Sequence, residues 1–188
     1  MLANLRALFG CLVDIILLRR GPEHLPASAP LLVVVVALNI VLSAIAAQMF
    51  PAPPHPEVSA TPVLQIIANT LITLAGFRLA FQVVKKTERF VQTMIAVFAT
   101  LTMFMPAVVP LAAALSPYIE QKPDSLPAPT ALILLTSFVV LWEMTVLAGI
   151  VRAAFEWSWV GAVFFVIAIN LGALILLGLV FGEPPKPS

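Results

Sequence analysis

LILLTSFVVLWEMTVLAGIVRAA, residues 132–154, decides the fold. Its length in helical form is about 35 Å at 1.5 Å per residue, enough to cross a hydrocarbon core of about 30 Å. A carboxylate, Glu143, stands near its middle behind Trp142. Hydrocarbon solvates an ion poorly, so an acid at that depth must find a partner, face water or stay protonated. The rest of the chain is read around that constraint.

Composition agrees with a bilayer environment. The 188 residues are 61 % hydrophobic and 10 % charged, with a mean hydropathy of +1.07, more apolar surface than one soluble core could bury. A net charge of +1 argues against nucleic acid as a partner, because phosphate contacts demand a basic surface. The single cysteine, Cys11, excludes an intrachain disulfide and any multi-cysteine metal site.

In chain order, residues 1–20 form an apolar segment broken by Arg6 and Asp14. The stretch between Arg6 and Arg19, residues 7–18, is about 18 Å long as a helix and too short to span. Asp14 inside the run, with Arg19 and Arg20 directly after it, does not fit a signal peptide. The segment is read as a retained cytoplasmic interfacial helix, with polar residues on more than one face. Gly21, Pro22, Pro26 and Pro30 then break it. Five spans follow at about 31–50, 63–84, 90–115, 130–151 and 157–181, and a polar tail occupies 182–188. Proline-rich turns at 51–62 and 116–129 alternate with short charged ones at 85–89 and 152–156. Pro62 opens the second span, and Pro106 with Pro110 should kink the third.

Five spans place the termini on opposite sides. One set of connections holds Arg6, Arg19, Arg20, Lys85, Lys86, Arg89 and Arg152, whereas the other holds Lys122 and Lys186. The positive-inside rule therefore predicts an all-α membrane protein with five transmembrane helices, N-terminus in and C-terminus out. Trp157 and Trp159 then lie at the inner interface and Tyr118 at the outer one.

The segment ending in Leu17-Leu18-Arg19-Arg20-Gly21-Pro22 precedes five closely spaced spans. Lys86-Thr87-Glu88-Arg89-Phe90-Val91-Gln92-Thr93 opens the third span, and residues 142–146 with 150–152 close the fourth. With these features the chain resembles the bacterial branch of the Yip family of membrane proteins. Eukaryotic members of that family associate with Rab-type GTPases in vesicle traffic, through proteins with a long cytoplasmic N-terminal domain that this chain does not match. The resemblance implies a bacterial cytoplasmic (inner) membrane location and a topology more than an activity.

Four polar residues inside the spans are the candidates for chemistry. Arg78 in the second span and Glu143 in the fourth fall at nearly equal depth in the expected spans, and an ion pair between them would remove both charges from lipid. Alternatively, Arg78 snorkels toward the inner surface past Gln82. Asn39 and Asn170 lie near their span centres, where asparagine usually hydrogen-bonds across a helix interface. Gly76 with Ala80, and Gly178 with Gly182, permit close helix approach. Met94, Met103, Met105 and Met144 read as gap-filling side chains and not as metal ligands.

Enzymatic classes find little material. His24 and His55 are expected on opposite sides and cannot share a haem iron. No HExxH, phosphate-binding glycine loop or Walker lysine occurs. No nucleophile with a base at matching depth lies in the spans. The sequence reading is therefore a non-catalytic membrane protein without cofactor or metal: a scaffold, accessory subunit or bilayer-organising factor. Its expected partners are membrane lipids and other membrane subunits or copies of itself. The rival reading is a small oligomeric channel or transporter using Glu143, although five spans do not form two equal inverted repeats.

Overall fold

Hydrocarbon offers backbone N–H and C=O groups no partner, so an apolar run of span length folds as a helix that satisfies its own backbone. The computed structural model describes residues 2–49, 62–119 and 129–181. These form α1 (Leu2–Ile16), α2 (Ala29–Met49), α3 (Pro62–Val84), α4 (Phe90–Ile119), α5 (Thr130–Phe155) and α6 (Trp159–Phe181). Single 3-10 turns stand at Pro22–His24 and Thr87–Arg89. Helices α2 to α6 are each long and apolar enough to cross a membrane, so the described residues form an all-α, five-span membrane protein. The connections 50–61 and 120–128, which carry His55, Glu120, Lys122 and Asp124, lie outside the described residues, as does the tail with Gly182 and Lys186.

Helix α4 is the axis of the bundle. It packs against α5 and α2 along much of its length and also touches α1 and α3. Eight consecutive residues, Thr93 to Thr100, are at most 5 % exposed, so this stretch is covered around its whole circumference. Helices α2, α3 and α6 instead expose broad apolar faces, including Val33, Val34, Leu79, Phe164 and Leu179, as lipid-facing helices do.

Local chemistry keeps the helices continuous. Six threonine hydroxyls donate to the carbonyl four residues earlier, so that their own protons are not left in hydrocarbon: Thr70 to Ile66, Thr73 to Asn69, Thr93 to Arg89, Thr102 to Phe98, Thr136 to Leu132 and Thr145 to Leu141. Helix α4 runs through Pro106, Pro110 and Pro117 without losing its α character. Pro117 has no N–H for the carbonyl of Ala113, and the Ser116 hydroxyl donates to that oxygen instead at 3.0 Å. Ser28 and Ser158 cap α2 and α6, accepting from the N–H groups of Leu31 (3.4 Å) and Gly161 (3.2 Å). The last helix consequently starts at Trp159, two residues later than the sequence reading placed it.

Helices α3 and α5 end, and α2, α4 and α6 begin, at one end of the bundle, where the charged hairpin at 85–89 also lies. We call it the basic end. Three helices finish there or beside it with a residue other than glycine in the left-handed region: Leu18 after α1 (φ 57°), Lys85 after α3 (φ 58°) and Glu156 after α5 (φ 59°). Helix α1 stops at Ile16, four residues short of the expected segment, because the Arg19 and Arg20 N–H groups turn back onto the Asp14 carbonyl. It does not lie free of the bundle: Cys11 is 8 % and Ile15 2 % exposed, both within the core formed with α4 and α5. Leu18 sits directly on Gly149, where an added Cβ would come within 2.6 Å of its Cδ2 atom.

Candidate functional site

The structure does not bring Arg78 and Glu143 together. Helix α5 continues to Phe155, not residue 151, so Glu143 lies 12 residues, about 18 Å, from the basic end of its helix. Arg78 lies 6 residues, about 9 Å, from the end of α3 at Val84. The depths that coincided in the expected spans are therefore separated, and α3 packs mainly on α2, α6 and α4 while α5 packs on α4 and α6. The Arg78 guanidinium instead reaches toward the basic end and lies 5.4 Å above the Phe90 ring. Stacking on an aromatic face while a long stem lies in lipid is the snorkelling solution for an intramembrane arginine.

Glu143 shares a helical face with Leu147, Ile150 and Ala154, all buried, and so continues the stripe with which α5 faces the bundle. Among the described residues no ion pair or hydrogen bond reaches its carboxyl group. The neighbouring α4 carries a similar feature: the Thr100 hydroxyl is buried with no hydrogen-bond partner among the described residues. Thr100 lies 10 residues, about 15 Å, from the start of α4 at Phe90, close to the depth of Glu143.

The two asparagines differ. Asn39, 6 % exposed, donates across the α2–α4 interface to the Thr102 hydroxyl at 3.1 Å. Thr102 passes its own proton to the Phe98 carbonyl at 2.8 Å, so the hydroxyl accepts and donates at once. Asn170 does not make the interhelical bond expected of it. Its amide donates to the Val166 carbonyl of its own helix at 2.8 Å. It nevertheless lines, with Asn69 and Thr73 of α3, an intramembrane cavity of about 120 Å³ whose remaining wall is apolar.

The strongest polar constellation was not expected from the sequence. At the basic end Glu156 accepts from Lys86 Nζ at 2.7 Å and from Arg89 at 2.8 Å. Lys86 also donates to the Phe155 carbonyl (3.2 Å) and Arg89 to the Ala153 carbonyl (3.5 Å), two of the orphan acceptors at the end of α5. Those contacts explain why α5 runs past Arg152: its terminal carbonyls are satisfied by the hairpin between α3 and α4. The hydrogen bond and charge of Lys86, with the charge of Arg89, hold the Glu156 carboxyl below its ordinary range. The signal was available, since Lys86 and Arg89 stand in one short connection and Glu156 in the other on the same side, but pairing them required knowing which helices are neighbours.

Beneath this clamp lies an aromatic cluster. Phe155 stands 4.4 Å from Phe81, 4.7 Å from Trp157 and 5.4 Å from Phe165 between ring centroids, and Phe77 packs edge-on against Phe165 at 5.1 Å. It ties α3, α5 and α6 together where the ion pairs close over them. Among the described residues, the fold and these contacts define a five-span helical membrane protein whose basic end is closed by ion pairs over packed aromatic rings. The chain matches no family model, no curated protein and no solved structure.

Proposed function

We propose that the chain is a non-catalytic, Yip-like integral membrane protein of the bacterial inner membrane, oriented with its basic end in the cytoplasm. In this reading it acts as a scaffold, accessory subunit or bilayer-organising factor. The observation that supports it is where the polar groups go. Glu156 is taken up by Lys86 and Arg89, Arg78 by the Phe90 ring, and Asn39 by Thr102, so they join helices to one another and do not converge on a reaction centre. Purification from native membranes in mild detergent tests the reading: a stoichiometric membrane partner or a homo-oligomer is expected, and repeated recovery of a bare monomer counts against it. Orientation is tested separately, by impermeant thiol labelling of Lys85→Cys and Lys186→Cys in a Cys11→Ser background.

One observation favours a second reading, an oligomeric proton or cation pathway: Glu143 faces the bundle without a partner among the described residues. Flux in liposomes that Glu143→Gln abolishes would establish it over the first.

A further inference from the structure

A second feature of the basic end plays no part in the clamp. Where the chain turns from α1 into the Pro22–His24 turn, it leaves a pocket of about 240 Å³ against the end of α5 and the start of α6. Arg19, Arg20 and His24 line it from the turn, Arg152 from α5 and Trp159 from α6. Two carboxylates stand nearby: Asp14 holds Arg20 at 3.0 Å, and Glu23, also in the wall, lies 3.5 Å from His24. Three arginines against two carboxylates leave one positive charge, with His24 neutral. The surplus falls on two guanidiniums, since no ion pair occupies Arg19 or Arg152 among the described residues. Arg152 is already oriented, its guanidinium 5.3 Å above the Trp159 ring.

We propose that this pocket binds the phosphodiester headgroup of an anionic phospholipid. A phosphodiester carries one negative charge, equal to the surplus, and its two free oxygens suit the planar fork of arginine. The volume lies below the roughly 300–1,000 Å³ of sites that enclose a whole drug-sized ligand, so the headgroup enters and the acyl chains stay outside. The rim favours a lipid over a free anion. Leu18 and Trp159 in the wall are 37 % and 41 % exposed, and the residues next to them in the chain, Leu17 and Val160, are 45 % and 65 % exposed, an apolar border that a soluble phosphate would not use. Basic pockets between membrane helices on the cytoplasmic side are a recurrent form of headgroup site. The inference rests on the reading of this end as the membrane–water boundary and narrows the partner of the proposed bilayer-organising role to an anionic lipid.

The test uses the full chain in symmetric phosphatidylcholine vesicles, with Trp142→Phe and Trp157→Phe leaving Trp159 as the emitter. Phosphatidylglycerol brominated on its acyl chains should quench Trp159 at a mole fraction about tenfold lower than brominated phosphatidylcholine requires. Arg19→Gln and Arg152→Gln should each raise that fraction about tenfold, whereas Arg6→Gln and Lys85→Gln, which remove the same charge elsewhere, should change it less than about twofold. Arg19 has an exposed side chain, so its variant keeps the test open should Arg152→Gln fail to fold, and Arg152→Lys should restore part of the preference. Equal quenching by both lipids, or equal loss in the Arg6 and Arg19 variants, overturns the proposal. Relief of quenching by millimolar inorganic phosphate would make the pocket a soluble-anion site and overturn the lipid assignment. Because the vesicles are symmetric, an error in sidedness leaves the lipid preference intact, and loss of the preference leaves the topology standing.

Discussion

Truncating Phe155 to alanine should be one of the costliest single changes in the molecule. The ring is 2 % exposed and touches three other aromatics, from α3, the α5–α6 connection and α6. In a soluble core Phe→Ala costs about 3–5 kcal/mol, part of which is apolar area returned to water. Between helices in a bilayer that part shrinks, because lipid tails are as apolar as the lost ring. The packing part remains: three ring pairs at about 0.5–1.5 kcal/mol each, and a cavity that helices held by the overlying ion pairs cannot close. The expected loss is about 2–4 kcal/mol. Phe138 supplies the control, being 65 % exposed on the same helix, and Phe138→Ala should cost less than about 0.5 kcal/mol. Both are measured by titrating folded protein in mixed micelles with sodium dodecyl sulfate and following the near-ultraviolet circular dichroism of the packed aromatics. Equal losses at the two positions, or a loss below about 1 kcal/mol at Phe155, would refute the argument that protein packing at the basic end carries the stability.

Three further outcomes follow from the polar contacts. The Glu156 carboxyl is held below its ordinary value, so its contribution is complete above about pH 4.3 and is lost as pH falls through the lowered folded value. Stability in detergent should therefore decline in acid below that point, and Glu156→Gln should remove this part of the decline; an unchanged profile in the variant would count against the clamp. Asn39→Ala and Thr102→Ala should couple by about 0.6 kcal/mol, and by less than about 1.7, in a double-mutant cycle, with strict additivity contradicting the interhelical bond. Arg78→Gln and Glu143→Gln should instead be additive within about 0.5 kcal/mol, and a larger coupling would show that the two charges meet after all.

The spans were legible because hydrophobicity in a membrane protein is long-range along the chain and needs no tertiary knowledge. The positions of α2, α3 and α6 could be read to within two residues from Pro62 and from the ends of the apolar runs, while the serine caps that set the starts of α2 and α6 played no part in that reading. Helix α5 could not, since its last turn depends on Lys86 and Arg89, residues of another hairpin that reach its carbonyls. The Arg78–Glu143 expectation failed for the same reason: four additional helical residues shifted Glu143 in depth, and depth was the whole basis for the pairing. Asn39 and Asn170 looked alike in sequence because both are mid-span amides. What separates them is the partner's use: Thr102 accepts from Asn39 across one interface, whereas at the other Thr73 and Asn170, which share a cavity, each donate to a carbonyl of their own helix. Thr102 itself carries no sequence signal, since threonine in a span usually satisfies its own helix.

The left-handed conformation of Lys85 has a consequence for biogenesis. Glycine would occupy that position more cheaply, because a side chain there costs roughly 1 kcal/mol or more in backbone sterics. Lys85→Gly should therefore relax the finished hairpin while removing one of its charges. In the proposed orientation that charge acts earlier, when the segment enters the membrane and flanking lysines and arginines decide which way it crosses. The hairpin thus accepts a small thermodynamic cost in the mature molecule at the residue that carries directional information during synthesis.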